Sequence, residues 1–216
     1  MRVIIAGGHG KIALLLERML ADDGHQPVAI IRNPAHAGDV EAAGAEALVL
    51  DFESTNAETL ARHLANADAV VFAAGAGPDS GAARKLTVDR DGAILLADAA
   101  ERAGIRRYVL VSAIGADGYD PDQAGEDGDV FQVYLKAKAD ADADLRARDL
   151  DWTIVRPGGL TDEAGSGLVA VGERLERDSV PRADVAAVLL VLLETGSAVR
   201  EQFELTRGTI PIAQAL

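Results

Sequence analysis

The sequence predicts an α/β, doubly wound fold, with a mostly parallel sheet of about six to seven strands and helices on both faces. Three observations carry this. Apolar, β-branched runs alternate with helical patterns over nearly all of the 216 residues. The strand runs are continuously apolar instead of alternating with polar residues, as expected where both sheet faces are covered. The helical stretches between them are about ten residues or longer, enough for right-handed crossovers between parallel strands.

Each element has a local reason. Val3-Ile-Ile-Ala6 gives a first strand over 2–6, which turns through glycine into a helix over about 10–22 that Asp23-Gly24 stops. Val28-Ala-Ile-Ile31 gives a strand at 27–31, and Asn33-Pro34 starts a helix over about 34–43. A strand at 46–50, a helix at about 56–65 and a strand at 69–74 follow. A long helix over about 80–103 ends at Ala103-Gly104, and Tyr108-Val-Leu-Val-Ser112 lies in a strand at 106–112. A helix at about 130–148 leads to a strand at 151–156 with Trp152 in the core, and Pro181 starts a last helix over about 181–194. Glu201-Gln-Phe-Glu-Leu205 is expected to add a strand at the sheet edge. With no repeat and no linker, residues 1–216 form one domain, whose parts at about 157–180 and 195–216 face the substrate. The stretch 115–129 holds six acids and no base, and reads as a surface loop, either a solvated connection or a lid.

Composition narrows the partners. A net charge of −14 argues against nucleic acid and anionic membrane, which attract basic surfaces. No apolar run reaches the length that spans a bilayer, and no secretory pattern opens the chain, so a cytoplasmic protein is expected. The absence of cysteine excludes disulfides, thiolate metal sites and a cysteine nucleophile. His25, His36 and His63 have no ligand spacing, so no metal site is expected. Asp140, Asp142 and Asp144 read as a solvated charge run. A monomer or weak homodimer is expected.

The densest signal is Gly7-Gly-His-Gly-Lys-Ile-Ala13, directly after the first strand. A glycine turn opening a helix gathers backbone N–H groups and the positive end of the helix dipole where a phosphate can sit. Gly7 permits the tight turn, Gly10 lets a pyrophosphate approach the backbone, and Ala13 lets the helix pack closely. Gly8, His9, Lys11 and Ile12 complete the cradle. An NAD-type site usually carries an acid at the end of the second strand, but here that strand ends in Arg32, whose fork suits a 2′-phosphate. With Lys11 as a second cation nearby, NADP(H) is expected over NAD(H). Asp51 either accepts from the adenine amino group or caps the following turn, with Phe52 beside the ring. Ala73, Ala74 and Gly75 leave room for the cofactor to pass over the fourth strand.

Tyr134 and Lys138 are four apart on one helical face and can share a cleft. The lysine cation favours the phenolate, so Tyr134 can exchange a proton with a carbonyl or hydroxyl. Ser112, at a strand end, can hydrogen-bond the same substrate oxygen. The residues around Leu160, Leu168 and Val169, with Gly165-Ser-Gly167, read either as packing or as part of a substrate pocket.

Taken in order, these motifs, together with Ile31-Arg-Asn-Pro34 and Thr153-Ile-Val-Arg-Pro-Gly-Gly159, resemble the short-chain dehydrogenase/reductase superfamily. Within it the chain is similar to the small atypical NAD(P)H-binding members related to sugar epimerases. The resemblance covers essentially the whole chain and implies a Rossmann fold. It places Gly7, Gly10 and Ala13 in the phosphate turn, Arg32 at the NADP-selecting position and Asp51 at the adenine. It also places Ala73, Ala74 and Gly75 over the ribose, and Arg156, Pro157 and Gly158 in the turn beside the carboxamide. Ser112, Tyr134 and Lys138 fall where active members carry the catalytic set, and Lys138 would also hold the nicotinamide ribose. The gap from Ser112 to Tyr134 is longer than in the core reductases, and the acidic stretch fills it. Because about 60 residues follow the sixth strand, a small substrate is expected in preference to a sugar nucleotide. The implied function is an NADP-dependent oxidoreductase acting on a small carbonyl or hydroxyl compound. The alternatives are an NADPH-sensing protein without turnover and an epimerase or dehydratase.

Overall fold

A computed structural model describes residues 1–77, 80–120 and 129–216. Its centre is a sheet whose first six strands, all parallel, are β1 (Arg2–Ala6), β2 (Gln26–Ile31), β3 (Glu46–Val49), β4 (Ala69–Phe72), β5 (Arg107–Val111) and β6 (Asp151–Pro157). Three more strands of that sheet, β8 (Leu168–Gly172), β10 (Glu201–Arg207) and β11 (Ile210–Pro211), extend it to the order β11-β8-β10-β6-β5-β4-β1-β2-β3. A separate pair is formed by β7 (Gly159–Thr161) and β9 (Ser179–Pro181).

The sheet is wider than the six to seven strands expected. The segment at 201–205 is not at the edge: β10 pairs in parallel with β6 and antiparallel with β8, and β11 lies beyond β8. β7, β9 and β11 escape a reading by apolar runs because they are only two or three residues long, and β8 because its apolar run reads equally as packing or as pocket lining.

The connecting helices are α1 (Lys11–Asp22), α2 (Ala37–Ala42), α3 (Ala57–His63), α6 (Val130–Arg146), α7 (Arg182–Thr195) and the short α8 (Ile212–Ala215). The expected long helix over 80–103 is interrupted: α4 (Ala82–Arg84) runs through a π-helical segment, Lys85–Asp91, into α5 (Gly92–Ala103). Such segments widen a helix by one residue and often mark functional sites.

Strand pleating explains the continuous apolar runs. Val3 and Ile5 point to one face, where α1 and α7 cover them. Ile4, Ala6, Val70 and Phe72 point to the other, under α3, α5 and α6, with Trp152 buried in the same layer as expected. At roughly 25 cal/mol per Å2 of apolar surface, these two layers dominate stability. The chain moves outward from β1 in both directions, to β2 and β3 on one side and to β4, β5 and β6 on the other. The switch point between β1 and β4 is where such sheets bind ligands, at the carboxyl ends of the strands.

Candidate functional site

The glycine turn sits at that switch point. Gly7 adopts φ +80°, and a Cβ there would lie 2.5 Å from the Ala74 Cα, so turn and β4 end are in backbone contact. A Cβ on Gly8 would fall 2.4 Å from that of Ala29 on β2. The Gly10 N–H donates to the Gly7 carbonyl at 2.8 Å, closing the turn. Gly10 is the N-cap of α1 and offers no side chain, which leaves the first amides of the helix facing the cleft. Ala13 is fully buried beneath them, as close packing requires. A cradle of backbone too tight for any Cβ fits a dinucleotide pyrophosphate.

Toward β2 and β3 the cleft widens into a cavity of about 270 Å3 lined by Gly7, His9, Gly10, Arg32, Asp51, Phe52, Ala73, Ala74 and Gly75. Arg32 Nη1 lies 3.3 Å from Glu53 Oε2, and Arg84, also lining this cavity, lies 3.2 Å from the same oxygen. His9 stacks on His36 with ring centroids 3.7 Å apart and reaches Asp39 at 2.8 Å. It is thus held in place beside the cradle. Asp51 accepts the Glu53 N–H at 3.0 Å, so it caps the turn while also lining the cavity, and Phe52 stacks on Phe72 at 6.5 Å.

Lys11 departs from expectation. Its Nζ donates to Asp162 Oδ2 at 2.5 Å, across the mouth of the cleft, and Arg182 reaches the other oxygen of Asp162 at 2.6 Å. Being the first residue of α1, it projects toward the substrate side and does not join Arg32. It adds nothing at the adenosine end.

Past β4, a second cavity of about 760 Å3 brings together Gly10, Lys11, Ile12, Ala73, Ala74, Gly75, Ser112, Tyr134 and Lys138. Asp129 accepts from the Phe131 N–H at 2.9 Å and caps α6, whose first turns carry Tyr134 and Lys138 into the cavity. Lys138 Nζ lies 5.8 Å from the Tyr134 ring centroid and donates to the Val111 carbonyl at 3.2 Å. It also lies 3.2 Å from Asp89 Oδ1, with both side chains buried, while Asp89 Oδ2 accepts from the Ala76 N–H at 3.1 Å. Lys85 stands 5.3 Å over the same tyrosine ring and donates to the Gly77 carbonyl. Both Lys85 and Asp89 lie on the π-helical segment.

Ser112 donates to the buried Asp142 Oδ2 at 2.9 Å, and Arg156 Nε donates to that same oxygen at 2.9 Å. Arg156 turns its other nitrogens to Asp117, in a bidentate pair. Asp142 is therefore not part of a solvated run: it is wholly buried, because position 142 falls one turn beyond Lys138 on the inward face of α6. The Ser112 hydroxyl gives its one proton to Asp142, so it has none for a substrate carbonyl oxygen in this arrangement, unlike the expected role.

Burial pushes the Tyr134 phenol above its ordinary 10; Lys138 pulls it down, but Asp89 and Asp142 oppose that pull. The expected net lowering by Lys138 is thus outweighed by desolvation. For Lys138, burial works against the cation, but Asp89 and Tyr134 more than offset it and the net direction is up, so it stays charged. Burial raises the Asp142 carboxyl, and the Arg156 ion pair and the Ser112 hydrogen bond hold it back only in part.

Pro157 and Gly158 line a third cavity of about 530 Å3 that opens from the second and shares Ser112, Tyr134, Phe131, Leu160 and Arg182 with it. Leu160 thus borders the cavities, whereas Val169 is core. Gly165-Ser-Gly167 is tied to α7: the Ser166 and Gly167 N–H groups donate to the buried Asp184. Of the acidic stretch, Ala116–Gly118 forms a 3-10 turn, and residues 121–128 lie outside those described. Among the described residues no group of histidines and acids could hold a metal, and no helix is long and apolar enough to cross a membrane.

Sequence reasoning missed Lys85, Asp89, Asp142 and Arg84. For Asp142 a signal existed, since Tyr134, Lys138 and Asp142 recur every fourth residue on one helical face.

Comparison with known proteins gives the family and supports the fold. Residues 7–195 match the model of a family described as NAD(P)H-binding. The chain is 36% identical to the uncharacterized sugar epimerase YhfK of Bacillus subtilis, over 100% of this chain and 99% of the other. It is 38% identical to a solved Bacillus halodurans protein described provisionally as an NAD-dependent epimerase/dehydratase, with a TM-score of 0.88 over 99% and 97% of the two chains. The oxidoreductase ylbE of Lactococcus lactis shares 29% identity and a TM-score of 0.85, over 100% of this chain and 94% of that one.

Proposed function

Since the chain belongs to the NAD(P)H-binding family of the short-chain dehydrogenase/reductase superfamily, we propose that it is an NADP(H)-preferring reductase of small carbonyl compounds, with Tyr134 as proton donor. The observation that carries this reading is the second cavity, where Tyr134, Lys138 and Ser112 meet the small residues 73–75 directly downstream of the phosphate cradle. The preference for NADP(H) rests on Arg32 and Arg84, two guanidinium groups sharing the single carboxylate of Glu53 where an NAD site would present an acid to the ribose. When bound, the nicotinamide supplies hydride.

The chain's own groups do the rest. The Tyr134 hydroxyl, with no hydrogen-bond partner among the described residues, gives its proton to the carbonyl oxygen as that carbon accepts hydride, and recovers it from solvent. Desolvation keeps the phenol protonated at neutral pH, which suits a donor. Lys138 and Lys85, both near its ring, stabilise the phenolate as it forms. The protein is expected to work without a membrane or nucleic-acid partner, as a cytoplasmic monomer or weak dimer.

A second reading, cofactor binding without turnover, is favoured by one observation: Lys138 is already held by Asp89 and the Val111 carbonyl. Reduction of a carbonyl panel by NADPH separates the two. Turnover that Tyr134→Phe abolishes supports the reductase; turnover that survives this change removes Tyr134, and no turnover on any carbonyl favours the sensor.

A further inference from the structure

We propose that the third cavity is a carboxylate anchor, and that the substrate class is an apolar ketone or aldehyde bearing a carboxylate, held by Arg177. This rests on the reductase reading only for where the carbonyl lies, because the cavity shares Ser112 and Tyr134 with the reacting end of the cleft.

The cavity has two cations and one acid in its lining. Arg182 is bonded to Asp162 at 2.6 Å, and Asp178 is turned onto the Ser179 N–H at 2.6 Å. Arg177 has no ion pair or hydrogen bond among the described residues, although the chain carries 35 acids against 21 bases. A guanidinium unpaired among the described residues and beside a cavity offers a planar fork of donors to a carboxylate.

Its place is built into the fold. Gly115, at φ +71°, makes room for it: a Cβ there would lie 2.9 Å from Arg177 Nη2. The buried Glu204 accepts from the Gly115 N–H at 3.1 Å and from the Leu175 N–H at 2.7 Å. One carboxylate on β10 thus fixes both the floor under the guanidinium and the segment that carries it.

Apart from these charges and from Ser112 and Tyr134, the lining is apolar, and part of it is exposed. Phe131 is 48% exposed and Leu160 38%, and both border this cavity and the one that holds Lys138. A ligand with an apolar body covers these two side chains, reaches Arg177 with its carboxylate, and leaves its carbonyl at Tyr134. One unpaired guanidinium, with Arg182 already bonded to Asp162, suits a singly charged planar carboxylate better than a doubly charged phosphate.

The probes are phenylglyoxylate and benzoylpropionate, each with its methyl ester, titrated calorimetrically into NADP+-saturated protein so that the phosphate cradle is filled. The expected result is at least tenfold tighter binding of one acid than of its ester, a gap that closes in Arg177→Gln and partly persists in Arg177→Lys. Equal binding of acid and ester, a gap that survives Arg177→Gln, or no binding of either acid overturns the anchor. Turnover with NADPH is read in parallel. An Arg177-dependent acid preference without turnover sustains the anchor and sinks the reductase, whereas turnover of ester and acid alike does the reverse.

Discussion

The two ends of the cleft are built in opposite ways. At the phosphate end the working surface is backbone: Gly7 and Gly8 have no room for side chains, Gly10 has little, and the helix supplies the charge. At the reacting end the working surface is buried charge, with Lys138 against Asp89 and Ser112 against an Asp142 held by Arg156. The first design is rigid because its atoms are in contact. The second is rigid only while each buried charge keeps its partner, since an orphaned one costs several kcal/mol. Damage at the phosphate end should therefore appear as lost binding and lost fold, and damage at the reacting end as lost rate, with a stability cost wherever a buried charge is orphaned.

The largest effect is expected where backbone meets backbone. Gly7→Val needs a Cβ 2.5 Å from the Ala74 Cα at a positive φ, and should cost more than about 3 kcal/mol and abolish NADPH binding. Urea denaturation with a cofactor titration checks this; a stable variant that binds NADPH would break the contrast at its firmer end.

A buried charge without a partner sharpens it. Glu17 on α1 is fully buried, neither oxygen has a hydrogen bond among the described residues, and desolvation lifts its pKa from 4.5 to about 8. The folded state then holds a proton that the unfolded state releases, so stability falls as pH rises from about 4.5 through 8, by up to about 1.4 kcal/mol per pH unit. Glu17→Gln should remove that slope and gain on the order of a few kcal/mol at alkaline pH. Melts across pH decide, and parallel curves for the two proteins would show Glu17 to be solvated.

At the reacting end, Tyr134→Phe should lower kcat by about a hundredfold and leave the NADPH affinity within about twofold. Cofactor affinity that falls with the rate would make Tyr134 a binding group instead. Smaller still is Asp89→Asn. Asp89 raises the phenol, so its removal should move the alkaline limb of the pH–rate profile downward, at some cost in stability as Lys138 loses its partner. An unmoved limb would confine Asp89 to a structural role.

The same contrast explains what was legible in the sequence. The phosphate end lies within a dozen consecutive residues, and local rules for turns and helix starts suffice to read it. The parallel strands were legible because pleating with two covered faces leaves an apolar run. The reacting end depends on pairs distant in sequence, such as Ser112 with Asp142 and Lys138 with Asp89, and on a π-helical segment that no periodicity announces. Lys11 was misplaced for a related reason: its neighbours in sequence suggest phosphate, but the direction of the first helical residue sends it to Asp162. Beyond β10, β11 was illegible because it is two residues long, and β8 because its apolar run reads equally as packing or as pocket lining.

The most direct test of the account compares NADPH and NADH titrations, followed by cofactor fluorescence, in the wild type and Arg32→Ala. The account predicts at least roughly tenfold tighter binding of NADPH, lost in Arg32→Ala while NADH is little changed, as expected for a charge-assisted bidentate contact to a 2′-phosphate. Equal affinities in the wild type, or an NADPH preference that survives the substitution, would contradict it.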